Sequence, residues 1–186
     1  MRSGRIALIF MVVSILGLGL TWYSTLPRFP VAQPAADLVL RQGDLPPGFS
    51  PDLAETRAIT ANPYMDHTEH YRSGYRAEYQ GEPGTPWLNT RVVSTSFVVD
   101  RKGAERIYAR YVGQVRHRGE AQPFGTLGQE SHFVVARNEP SAPVVLIGVA
   151  RVQNVLITLT VMTDHEMDPE VVYDWVRLLA DRANPR

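Results

Sequence analysis

Apolar residues in this chain occur in three arrangements: one long uncharged run, several stretches alternating with polar residues, and two stretches at helical spacing. The uncharged run is Ile6 to Tyr23, and it closes on Trp22 and Tyr23. As a helix rising ~1.5 Å per residue it would span ~27 Å, close to the ~30 Å hydrocarbon core of a bilayer. Alternation appears next at Tyr71, Ser73, Tyr75, Ala77 and Tyr79, interleaved with Arg72, Arg76 and Glu78. This period of two predicts a half-buried strand with three tyrosines on one face. Gly81 to Pro86 breaks it, and a second strand is expected over Arg91 to Val99, with Val93, Thr95, Phe97 and Val99 on one side. Asp100 is a good N-cap for a helix from Arg101 to about His117. Its positions Ala104, Ile107, Tyr108, Tyr111, Val112 and Val115 share one arc, opposite Lys102, Arg106, Arg110 and Arg116.

Three β-branched runs follow, Phe133 to Arg137, Val144 to Arg151 and Val155 to Met162, the last two joined by a tight turn at Gln153-Asn154. Asp168 as N-cap and Pro169 at the first position open a final helix to about Ala183. Val171, Val172, Trp175, Val176, Leu179 and Ala183 make its apolar face broad. Earlier, a short helix is expected over Ala35 to Gln42, stopped by Gly43, and then a loop to about His70. Strands clustered in groups argue for an α+β fold, an antiparallel sheet with helices packed on it, here preceded by one N-terminal transmembrane helix.

The flanks of the apolar run decide what kind of device it is. A cleaved signal peptide has a shorter apolar region and a small-residue cleavage site. Here the run is longer and is followed by Ser24-Thr25-Leu26-Pro27-Arg28-Phe29-Pro30. A lipoprotein signal needs a cysteine, and the chain has none. The reading is a permanent signal anchor, its rival a cleaved signal cut near Gly17 or Gly19. Arg2 and Arg5 precede the run without an acid, which places the N-terminus in the cytoplasm and the remainder outside. The resulting organisation is a cytoplasmic N-terminus and anchor over 1–23, a Pro-rich tether over 24–36 and an extracytoplasmic α+β domain over 37–186. The bilayer is the expected partner of residues 6–23. Gly17 and Gly19 would permit close approach of another helix, with Trp22 at the interface.

Composition narrows the possibilities further. Residues 37–186 carry 16 basic against 19 acidic residues, a balance that excludes a nucleic-acid binder. With no cysteine, no disulfide supports the exported domain, and its core must suffice.

The Leu45-Pro46-Pro47-Gly48-Phe49 segment, the strand and helix from Val92 to Val115, the Gly125-x-x-Gly128-Gln129-Glu130 turn and the terminal hairpin and helix resemble exported, membrane-tethered bacterial α+β domains similar to the Mog1/PsbP-like fold. The resemblance covers most of residues 37–183. It implies accessory work in a membrane complex, for example photosynthetic or respiratory electron transfer, and it implies no catalytic residue and no cofactor.

Candidate chemistry is sparse. His67 and His70, beside Asp66 and Glu69, could ligate zinc or copper, but no helical pattern sets the two rings together and no third ligand is indicated. Asp164, Glu166, Asp168 and Glu170 suggest calcium, yet lack the EF-hand's glycine and distal glutamate; acids at a helix start answer to the helix dipole. Ser131 and His132 would point to opposite faces of a strand. Gly125-Thr126-Leu127-Gly128 lacks a phosphate loop's lysine. The basic stripe of Lys102, Arg106, Arg110 and Arg116 could meet anionic head groups or an acidic partner. These features predict a non-enzymatic, single-pass protein whose exported domain binds membrane-protein partners, with no cofactor. The alternative is a sensor domain that takes a small ligand against the tyrosine face.

Overall fold

The computed structural model describes residue 31 and residues 33–60, 71–137 and 142–184. The expected anchor, with Gly17, Gly19 and Trp22, lies outside these residues, as do His67 and His70. Among the described residues no helix is long and apolar enough to cross a membrane.

The domain is α+β. Eight strands form one sheet: β1 (Phe49–Pro51), β2 (Arg57–Ile59), β3 (Tyr71–Gly81), β4 (Arg91–Val99), β5 (Glu120–Ala121), β6 (Glu130–Ala136), β7 (Val144–Val152) and β8 (Val155–Thr163). Their order across the sheet is β1-β3-β4-β8-β7-β6-β5, with β2 also on β3, and every ladder between them is antiparallel. Two helices, α1 (Arg101–Val115) and α2 (Pro169–Ala183), pack on opposite faces.

Both helices start where capping chemistry dictates. The Asp100 side chain accepts from the Gly103 N–H at 2.6 Å, and Asp168 accepts from the Glu170 N–H at 2.9 Å, each satisfying an orphan donor of the first turn. Helix α1 buries Ala104, Ile107, Tyr111 and Val115 against Phe97, Val99, Val134, Ile147, Val149 and Leu156. On the other face α2 buries Val172, Trp175, Val176, Leu179, Ala180 and Ala183. Close approach of α2 needs Gly148: a Cβ there would lie 2.7 Å from Val176 Cγ2 and 2.8 Å from Phe133 Cε1.

The N-terminal segment joins the α2 face. Val31, Ala35, Leu38, Val39 and Leu40 are all buried, so the packed fold reaches back to Val31. The helix expected over Ala35 to Gln42 is replaced by two 3-10 turns, Ala35–Leu38 and Gln42–Asp44. Between them Val39 is extended, because tertiary partners win over local helix bonds: the Leu40 N–H donates to Ser94 Oγ at 3.0 Å, and Arg182 Nη1 donates to the Val39 carbonyl at 3.2 Å. The loop expected before His70 contains β1 and β2. Strand β6 begins three residues earlier than the apolar run suggests, because Glu130 pairs with Arg151.

Strand β3 departs from simple alternation. A register shift between Tyr71 and Ser73 turns Tyr71 to the α1 face, whereas Tyr75 and Tyr79 pack on the α2 face. The Tyr71 hydroxyl donates to the Ile59 carbonyl and that of Tyr79 to the Leu40 carbonyl, the latter at 2.8 Å. The three tyrosines therefore line no common groove.

Candidate interaction surface

Helix α1 covers only part of its face of the sheet. It starts beside Val99, and the residues after it, His117 and Arg118, lie over Ala136, Val145 and Ile147 on the far side. Strand residues on either side of this crossing remain half-exposed. On one side stand Arg91, Val93 and Thr95 of β4, Thr160 and Met162 of β8, and Val145 of β7. Register places them side by side: Val93 opposite Thr160, Arg91 opposite Met162, and Met162 opposite Val145. The patch thus runs across three neighbouring strands and ends in a cleft of about 410 Å³ lined by His117, Arg118, Ala136, Val145 and Ile147.

Its other rim is an ion cluster. Glu78 is fully buried and accepts hydrogen bonds from Arg76 Nη2, at 2.5 Å, and from Arg91 Nε; these arginines keep 32% and 39% of their side chains exposed. Burial pushes the Glu78 carboxyl up. The hydrogen bonds from Arg91 and Arg76, with their charges, outweigh that and hold it below its usual range. The cluster places two guanidinium groups at the edge of the patch on one buried carboxylate.

A second polar cluster lies across α1. Arg151 Nε donates to Glu130 Oε2 at 2.6 Å, and its Nη1 faces Glu105 Oε1 at 3.9 Å. Burial, and then the Glu130 charge, push the Tyr108 hydroxyl up to about 12. His132 faces the same side; its Nε2 is buried and without a hydrogen-bond partner. Burial first, and the nearby Arg116 charge second, lower its pKa below 6.5. A histidine held neutral in the fold penalises acid: below about 6.5 the unfolded chain binds a proton that the folded chain resists. Folding stability is therefore expected to fall as pH drops through that value toward the lower folded-state pKa, and His132→Gln should flatten this segment of the curve. The separate loss from Glu78 and Asp44, whose pKa values are also lowered, belongs below their ordinary 4.5 and 3.8. Urea midpoints of the parent and of His132→Gln across the pH range, in mild detergent, check this.

The basic stripe stands where the helical arc places it. Lys102, Arg106, Arg110 and Arg116 are exposed along α1 and at its C-cap. Two of the four acids near α2 have structural partners: Asp168 caps the helix, and Asp164 accepts from Asn89 Nδ2 at 2.7 Å, the main reason its pKa is lowered. Ser131 Oγ accepts from the Leu127 N–H at 2.9 Å and pins a turn. Among the described residues no group of three or more His, Asp or Glu could hold a metal ion.

Sequence reasoning found the stripe but missed the uncovered strand patch. Alternation marked Val93 and Thr95 as one face of a strand, and nothing local shows how far a helix packed on that face extends. No protein-family model matches this chain, and no curated protein sequence matches it.

Proposed function

We propose that this chain is a non-enzymatic, single-pass protein of the bacterial cell membrane, N-terminus in the cytoplasm and α+β domain outside, that serves as an accessory or stabilising subunit of a membrane complex. The observation that carries the reading is the half-exposed patch of Val93, Thr95, Thr160, Met162 and Val145, which α1 leaves uncovered and arginines border. Contact surfaces combine apolar centres with polar, arginine-containing rims, and this patch has that composition. The anchor reading is supported by the length of the apolar run, the basic residues before it and the absent cysteine. The proposed kinship with Mog1/PsbP-like accessory domains rests on the Leu45 to Phe49 turn, whose Leu45 and Phe49 are buried, and on the terminal hairpin and helix.

The test is purification of the full chain from native membranes in mild detergent. A stoichiometric protein partner is expected, and it should be lost from a Val93→Glu/Met162→Glu variant that melts within a few degrees of the parent. A clean monomer, or a partner that the variant retains, contradicts the proposal.

A further inference from the structure

We infer that the end of the domain formed by Val31, the β7–β8 turn and the first turn of α1 lies against the bilayer and docks on anionic phospholipid headgroups. This rests on the anchored reading above, but its observations are separate.

The first is where the chain enters the fold. The Val31 N–H donates to Asn154 Oδ1 at 2.7 Å, and Asn154 Nδ2 donates to the Val99 carbonyl at 3.0 Å. Val31 is thereby locked between the β7–β8 turn and the end of β4, one residue before the Asp100 cap of α1. Only residues 24–30 separate this lock from the end of the apolar run. Seven residues containing Pro27 and Pro30 reach ~22 Å when extended at ~3.1 Å each. Strand β3 begins at this end, where Tyr71 pairs with Val99, and runs away from it for 11 residues, ~34 Å at ~3.4 Å per residue. An inverted domain would place Val31 beyond the reach of its own linker. The Val31 end must therefore stand near the membrane.

The second observation is the charge presented there. Arg101 and Lys102 are both exposed, and they occupy the first turn of α1, which contains no acid. Cations at a helix N-terminus oppose the helix dipole, so this placement costs folding stability unless something outside the fold gains from it. A negatively charged surface does. Glu105 and Glu130 at this end both face Arg151. Among the described residues, the Asp100 cap, whose carboxylate accepts from the Gly103 N–H, and Asp181, exposed on the last turn of α2, are the countervailing acids. Each lysine or arginine held at an anionic surface favours association about fivefold, and added salt weakens the attraction.

The chain contains no cysteine, so Gln129→Cys, beside the β7–β8 turn, and Glu82→Cys, at the opposite end, give unique labelling sites. The full chain carrying a fluorophore at either site is reconstituted into vesicles of phosphatidylcholine with phosphatidylglycerol, doped with a headgroup-spin-labelled lipid. The Gln129 label is expected to be quenched several-fold more than the Glu82 label. The excess should shrink in pure phosphatidylcholine, at high salt and in Arg101→Glu/Lys102→Glu. The same double variant should melt ~2–4 °C higher, since it now agrees with the helix dipole. An Arg101→Gln/Lys102→Gln variant that loses the excess without a fall in Tm separates docking from damage to the fold. Equal quenching at the two sites, or quenching at Gln129 indifferent to lipid charge and to both variants, overturns the docking. Failure of the chain to float with vesicles after alkaline washing is a distinct result, which overturns the anchor and the inference with it.

Discussion

Asn154→Ala is expected to lower the unfolding free energy by about 3 kcal/mol and to free the N-terminal segment from the sheet. Asn154 is fully buried. Its side chain accepts from the Val31 N–H at 2.7 Å and donates to the carbonyls of Val99 and Val31 at 3.0 and 3.4 Å. Alanine removes all three bonds and strands the Val31 N–H, itself within the core, at ~1–3 kcal/mol for a buried donor without a partner. The measurement is paired: urea unfolding for the magnitude, and hydrogen exchange of Val31, Ala35 and Leu38 for the location. Exchange at these three amides should accelerate more than at Val176 or Leu159. Asn154→Asp retains the acceptor for Val31 but loses the donor, and it should be destabilised with the N-terminal segment still protected. Uniform acceleration across the domain would contradict the assigned role.

Arg91→Met is expected to cost ~3 kcal/mol, more than Glu78→Gln, although Glu78 is the residue at the centre of the cluster. The difference follows from solvent access. Without Glu78, Arg76 and Arg91 are half-exposed and can turn to water; without Arg91, a fully buried carboxylate retains one of its two guanidinium partners. The pH dependence has a definite sign. In the parent, the lowered Glu78 pKa supplies stability above about 4.5 that disappears as pH falls below it. In Arg91→Met burial is opposed by Arg76 alone, so the loss should begin at a higher pH. Urea midpoints of the parent and both variants from neutral to acid pH test the ranking and the shift together.

Long periodic segments were readable from the sequence, and contacts between distant segments were not. Strands β3, β4, β7 and β8 and both helices follow from alternation, helical arcs and the Asp100 and Asp168 caps, since each of these signals is local. Strands β1, β2 and β5 are two or three residues long, too short for any period to show. The bulge in β3 moved Tyr71 to the opposite face from the one alternation assigns it. Val31 read as part of a spacer, because its partner Asn154 lies 123 residues away and a single valine among prolines has no pattern. Glu78, alternating with Ala77 and Tyr79, read as a solvent-facing position. Only the arginines that the strand pairing brings beside it explain how a carboxylate is fully buried there. The uncovered patch depends on where α1 crosses the sheet, which is set by packing among Ile107, Val149 and Leu156.

The proposal that the domain works at a membrane surface depends most on whether residues 1–23 stay attached. Intact-mass spectrometry of the protein recovered from alkaline-washed native membranes measures this directly. The expected result is a species in the membrane fraction whose mass includes residues 1–23, 20.8 kDa being that of residues 1–186. A shorter chain beginning near Gly17 or later, or recovery in the wash, would contradict it.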